Sequence, residues 1–220
     1  MKLIWSPETA SKAYLDTIQT CGISRKSSGA EFLSAMAGGY NAKLTVEAWK
    51  SGDSITTSIS LAIAAKHSHG RYMCMVPDES SRLKYVGAMQ NSGTSLPEMM
   101  IGEAEEVMER LNGVDILIVD EGRKDFTRVF KSAKLGHRGA ILVCKSGSKR
   151  KIESSTSTFI WDGVLDRKVC VVRSVTLPFG NGLEIAYIAS KDGNKKSRKY
   201  AKRWIRHVDR NSGEEHVIRR

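Results

Sequence analysis

Residues 113–122 read Gly113-Val-Asp-Ile-Leu-Ile-Val-Asp-Glu-Gly122. Val114, Ile116, Leu117, Ile118 and Val119 are apolar with no alternation, and most of them are β-branched. A short run that is apolar on both faces suits a strand covered on both sides, as in a parallel sheet between helices. The run therefore predicts a central strand over 114–120 that ends on a carboxylate, Asp120. Ligands of open α/β sheets bind in the crevice at the carboxyl edge of the strands, which makes Asp120 a candidate site residue. From position alone, an acid that merely caps a loop fits equally well.

The pattern extends outward in both directions. Upstream, strands over 44–49, 71–76 and 98–102 alternate with helices over 55–66, 79–91 and 103–111. Downstream come a helix over 124–134, a second buried strand over 140–144, a Ser/Lys-rich loop over 146–157 and a short helix over 158–165. Two further strands, 168–177 and 183–189, flank the turn Pro178-Phe-Gly-Asn-Gly182 and are expected to pair antiparallel. Strand–helix alternation of this kind is the signature of a parallel sheet with right-handed crossovers. Two helices precede it. Ser6-Pro7-Glu8 supplies a cap, a proline at the first helical position and an acid in the first turn of a helix to about Thr20. Ser28-Gly-Ala-Glu31 matches a capping box for a second helix that carries Phe32, Leu33 and Met36 and ends at Gly38-Gly39.

A chain of 220 residues suits one domain with extensions, and burying roughly 70% of its unfolded surface makes staples unnecessary. Three parts are expected: N-terminal helices over 1–42, an α/β domain over 43–190 and a basic tail over 191–220. The net charge is +11, but from Ser190 onward 11 Lys and Arg face 4 Asp and Glu, while the first 189 residues hold 24 against 20. The tail is thus the candidate for weak polyanion binding, with a solvated charge run serving only solubility or localisation as the alternative, and a short helix around Trp204-Ile205 could form there on a partner or nucleic acid. Cys21, Cys74, Cys144 and Cys170 are widely separated and read as reduced core residues of a cytoplasmic or nuclear protein. No signal-peptide core and no run of roughly 18 apolar residues is present, so no membrane contact is expected.

Three stretches carry a resemblance: Glu31-Phe-Leu-Ser-Ala-Met with Asn41-Ala-Lys-Leu-Thr-Val-Glu47, Asp115-Ile-Leu-Ile-Val-Asp120, and Gly139-Ala-Ile-Leu-Val-Cys144. They resemble the caffeoyl-CoA and catechol O-methyltransferase group of class I S-adenosylmethionine-dependent methyltransferases. Trp5-Ser-Pro-Glu-Thr-Ala-Ser-Lys-Ala-Tyr14 and Thr176-Leu-Pro with Gly182-Leu-Glu-Ile-Ala186 are similar to a plant family catalogued as domain of unknown function 1442. The resemblance covers about residues 1–190. It implies a Rossmann-like fold, a mainly parallel sheet with helices on both faces and a C-terminal antiparallel hairpin.

The same resemblance implies S-adenosylmethionine as cofactor, in a crevice bounded by Glu47, Gly52, Asp53, Ser54, Asp78 and Asp120. The chain departs from the group at several of its positions. Glu47 matches the acid after the first strand, but Trp49 replaces the first glycine and Gly52 arrives one residue early. The ribose-binding acid falls on Val76, with Asp78 as a substitute only if the loop curls back. Of the group's metal ligands Asp120 alone is matched, since Gly122 and Cys144-Lys145 stand at the others, and no metal is expected because a divalent cation needs several oxygen ligands at once. Arg123 aligns with the group's lysine of proton abstraction and is too basic for that role.

His67-Ser-His69 has close spacing but no third ligand and fits a helix end better than a metal site. Ser54, Ser58 and Ser60 lie near the crevice without a nucleophile elbow around them. The expected function is a methyltransferase-like protein with a degenerate cofactor site, acting on an unknown small molecule. The alternative is a non-catalytic scaffold that binds a protein partner.

Overall fold

The runs at 114–119 and 140–144 lie in the middle of a seven-stranded sheet, which is why neither alternates. The computed structural model describes residues 5–23, 29–145, 161–166, 168–179, 182–189, 204–208 and 215–219. The strands are β1 (Leu44–Ala48), β2 (Arg71–Val76), β3 (Glu98–Ile101), β4 (Ile116–Asp120), β5 (Ala140–Lys145), β6 (Val171–Leu177) and β7 (Leu183–Ile188), ordered β3-β2-β1-β4-β5-β7-β6. Strands β1 to β5 pair in parallel, and β7 runs antiparallel to both β5 and β6. The order reverses between β1 and β4, so the crevice of an open α/β sheet is expected at the carboxyl ends of these strands, after Ala48 and Asp120.

Helices α1 (Pro7–Cys21), α2 (Ala30–Gly39), α3 (Ile55–Ser68) and α4 (Glu79–Asn91) contribute to the core on one face. Helices α5 (Ala104–Arg110), α6 (Phe126–Ser132) and α7 (Trp161–Val164) contribute to the core on the other. Along β4, Ile116 and Ile118 enter the first core while Leu117 and Val119 enter the second. Each such side chain contributes roughly 1.5–3 kcal/mol relative to exposure. Among the described residues no helix is long and apolar enough to cross a membrane.

The caps follow the chemistry of the sequence in α1, where Ser6 accepts the N–H of Thr9 and Pro7 opens the helix. Helix α2 is different. Its N-cap is Gly29 at φ 81°, with no side-chain cap, and the Ser28 of the expected capping box lies outside the described residues. Gly38 and Gly39 do end α2, but they also permit close packing. A Cβ at Gly38 would stand 3.0 Å from the Thr9 carbonyl oxygen, and one at Gly39 would stand 2.4 Å from the Trp5 indole.

One expectation needs correction. Cys170 is exposed and not a core residue, unlike the buried Cys74 and Cys144. Around Trp204-Ile205, where a helix could form on a partner, the chain by itself forms β8 (Trp204–Val208), which pairs antiparallel with β9 (Glu215–Arg219) in a separate two-stranded sheet. Ile205, Val208, Val217 and Ile218 are β-branched, and on a pleated ribbon that preference outweighs the helical reading of the basic residues. The expected loop over 146–157 and the basic run Lys195–Lys199 lie outside the described residues, and of the helix expected over 158–165 the described part is Trp161–Val164.

Candidate functional site

Glu47, near the carboxyl end of β1, is fully buried, with 0% exposure. It sits on β1 facing the α3–α4 side, where burying an unpaired carboxylate would be costly. Three donors meet it. Ser58 Oγ donates to Oε2 at 2.7 Å, Tyr72 Oη donates to the same oxygen at 2.6 Å, and Lys145 Nζ reaches Oε1 at 3.4 Å. Tyr72 has one hydroxyl proton and gives it to Glu47, so at the 2.9 Å contact between the two hydroxyls Tyr85 is the donor to Tyr72. The network thus joins β1, β2, α3, α4 and β5.

Electrostatics favour the protonated forms of the groups around Glu47. Burial first, and then the Glu47 charge, push the Tyr72 phenol well above its ordinary pKa, so it remains a donor. Burial likewise raises Tyr85 and the adjacent Cys74 thiol. Burial works against the Lys145 charge, but Glu47, Asp53 and Asp120 around it more than offset that, and its pKa lies above the usual lysine value.

The loop from β1 to α3 begins with Trp49, which is 4% exposed and packs edge-on against Tyr85 at a centroid distance of 5.2 Å. Its backbone N–H donates to Met75, while its buried indole N–H has no hydrogen-bond partner among the described residues. Gly52 takes φ 98°, and a Cβ there would meet nothing within 4 Å. Asp53 turns back to accept the Lys50 N–H at 3.1 Å, and burial raises its carboxyl pKa. Ser54 caps α3 by accepting the Thr56 N–H at 3.3 Å.

The other strand ends are equally committed. Val76 is buried at the end of β2, and Asp78 caps α4 by accepting the Ser81 N–H at 2.7 Å. The loop does not curl Asp78 back toward β1. Asp120 accepts the Gly122 N–H at 2.7 Å and lies 3.8 Å from Lys50 Nζ. A Cβ at Gly122 would stand 2.8 Å from the Asp120 carboxylate, a side-chain end that any larger residue there would displace. Arg123 makes a two-bond fork to Asp125 at 2.9 and 2.8 Å and serves as a clamp before α6. Among the described residues no group of three His, Cys, Asp or Glu side chains is arranged to hold a metal ion.

The structure therefore brings Glu47, Asp53 and Asp120 to one edge around Lys145, while Ser54 and Asp78 act as helix caps and Gly52 lies open. The partners Tyr72 and Tyr85 were not legible in the sequence, because nothing local marks a tyrosine that will face a buried acid. His67, from the close histidine pair, bonds Asp16 at 2.7 Å, and His69 ends α3 in the left-handed region at φ 48°. Two adjoining grooves, about 620 and 430 Å³, run along α3 on the far side from Asp120 and share Ala62, Lys66 and Ser95.

The sheet order is that of a Rossmann-like fold, and solved structures of methyltransferases share it. Cofactor-bound Rv0187 from MTB superposes with a TM-score of 0.54 at 17% identity, over 82% of this chain and 90% of the other. The O-methyltransferase TomG from Streptomyces achromogenes, in complex with SAM, gives 0.52 at 20% identity over 86% and 92%. The SAH-bound methyltransferase PaMTH1 from Podospora anserina gives 0.54 at 14% identity over 86% and 90%. No curated protein sequence matches the chain significantly. The chain belongs to the family described as "Protein of unknown function (DUF1442)", whose model matches residues 1–220.

Proposed function

We propose that this is a methyltransferase-like protein whose S-adenosylmethionine site is degenerate, holding that cofactor or a related adenosyl ligand weakly and needing no metal for any transfer it performs. The observation that carries this reading is Glu47, the acid matched to the cofactor site, which has 0% exposure and three internal donors. Three neighbouring features support the degenerate reading. Trp49 fills the space beside Tyr85, Val76 offers no oxygen for a ribose, and Asp78 is spent on capping α4. No methyl-transfer step is assigned to these residues. What remains open to a ligand is the backbone around Gly52 and the amino end of α3, which favours anionic groups.

Loss of a charge-assisted hydrogen bond at Val76 alone costs about 1.5–3 kcal/mol of binding. The expected dissociation constant is therefore on the order of tens of micromolar or weaker. Calorimetric and thermal-shift titrations with S-adenosylmethionine and S-adenosylhomocysteine test this, on the wild type and on Trp49→Gly, which should bind better. Submicromolar binding by the wild type would refute degeneracy. Stoichiometric magnesium or calcium lost in Asp120→Ala would refute metal independence. The same buried network favours a second reading, a non-catalytic scaffold for a protein partner. No response of either protein to millimolar ligand would select it.

A further inference from the structure

The two cavities of about 620 and 430 Å³ beside α3 lie at the amino edge of the sheet, where Gly70-Arg71 enters β2 and Pro97-Glu98 enters β3. Both fall in the range of about 300–1,000 Å³ that small-molecule sites occupy. In the smaller one the charge of Arg71 is matched by Glu98, through bonds of 2.8 and 2.6 Å. Lys66, which lines both, is exposed, and its ammonium has no hydrogen-bond or ion-pair partner among the described residues. On α1, Asp16 accepts from His67 Nε2 through Oδ2 at 2.7 Å and leaves Oδ1 unused among the described residues. Asp16 and Lys66 line the larger cavity together and form no ion pair with each other. Gln19, Thr20 and Ser95 add polar side chains to the same cavity that make no hydrogen bond among the described residues.

We propose that the larger cavity is a binding site for a small zwitterion, a free α-amino acid, whose carboxylate meets Lys66 and whose ammonium meets Asp16. The cavity presents one uncommitted group of each sign. A simple anion would gain at Lys66 and be repelled by Asp16, and a simple cation would meet the reverse, whereas a zwitterion gains at both. Both contacts are charge-assisted hydrogen bonds, the stronger kind. Gln19, Thr20 and Ser95 can bond the remaining polar atoms, and the adjoining cavity, walled by Leu96 and Pro97, leaves room for the side chain of the amino acid. Lys66 is open to water, so screening keeps the affinity modest. The site lies at the other edge of the sheet from Glu47 and Asp120, and it is independent of whether that crevice takes an adenosyl ligand.

The test titrates the full chain by calorimetry with each of the standard L-amino acids, and with acetate and methylammonium as probes of a single charge. The expected result is saturable binding of at least one amino acid, at least about tenfold tighter than either single-charge probe and weakened at least about tenfold in Lys66→Met and in Asp16→Asn. Lys66 makes no side-chain contact of its own to lose, so Lys66→Met should keep the wild-type circular dichroism and Tm. His67→Gln removes the bond to Asp16 but keeps both cavity charges, and it should bind as the wild type does. Absence of binding for every amino acid at millimolar concentration overturns the proposal. So does binding that survives both charge-removing changes, binding that acetate or methylammonium alone matches, or a loss in Asp16→Asn that His67→Gln reproduces.

Discussion

Replacing Lys145 by methionine keeps the length of the side chain and removes its charge, leaving Glu47 buried with only Ser58 and Tyr72 as donors. Both ends of the pair are enclosed, since the side chains of Lys145 and Glu47 are 14% and 0% exposed. Breaking a buried pair by removing one partner costs about 3–5 kcal/mol, because the stranded charge keeps its desolvation penalty. For a domain of this size that lowers Tm by roughly 6–20 °C. Urea unfolding followed by circular dichroism measures the loss. The double variant Glu47→Gln/Lys145→Met should recover much of it, because the glutamine oxygen still accepts from Ser58 and Tyr72 with no charge left unpaired. The pH dependence has a definite sign. A lysine whose pKa is raised on folding contributes stability that is complete below its unfolded pKa and is lost as pH rises through the folded value. The gap between wild type and Lys145→Met should therefore hold through neutral pH and narrow only above the ordinary lysine range. A single-variant cost under about 1 kcal/mol, or a double variant as damaged as the sum of the two singles, would refute the view that Glu47 depends on Lys145.

Three further outcomes are expected. Gly70→Ala should destabilise the fold by roughly 3 kcal/mol in the same urea assay, because its Cβ would stand 2.2 Å from the Ala42 carbonyl oxygen and backbone cannot yield cheaply; a neutral result would show that the β2 entry shifts freely. A thiol reagent should label the exposed Cys170 first and spare Cys74 and Cys144 until unfolding, since both are buried and burial also holds the Cys74 thiol above its usual pKa; early mass-spectrometric labelling of Cys74 would contradict this. Truncation after Ala189 removes 11 Lys and Arg and should abolish a weak polyanion affinity that falls steeply between low and physiological salt; unchanged binding by the shortened chain would clear the tail of that role.

Much of the fold was legible because it is written in local periods. The absence of alternation at 114–119 reports two covered faces, and the two cores on either side of β4 are that statement in three dimensions. Ser6-Pro7 opened its helix as the cap rules require, since capping involves only neighbouring backbone. The candidate Asp120 was marked by its place at a strand end, and Glu47 by the resemblance to the methyltransferase group. What the sequence by itself could not determine is who meets them. Glu47 and Lys145 are 98 residues apart and become neighbours only because the sheet order puts β4 between β1 and β5. In the sequence Trp49 stands where the methyltransferase group has a glycine, but only its packing on Tyr85 decides that it joins the core and leaves its indole N–H without a partner among the described residues. The tail shows the same division, for its charge was plain in the composition, whereas the pairing of β8 with β9 depends on contacts across the chain. Local patterns follow from the backbone's own repeat, while pairings across the chain are settled only when distant segments compete for the same neighbours in the folded state.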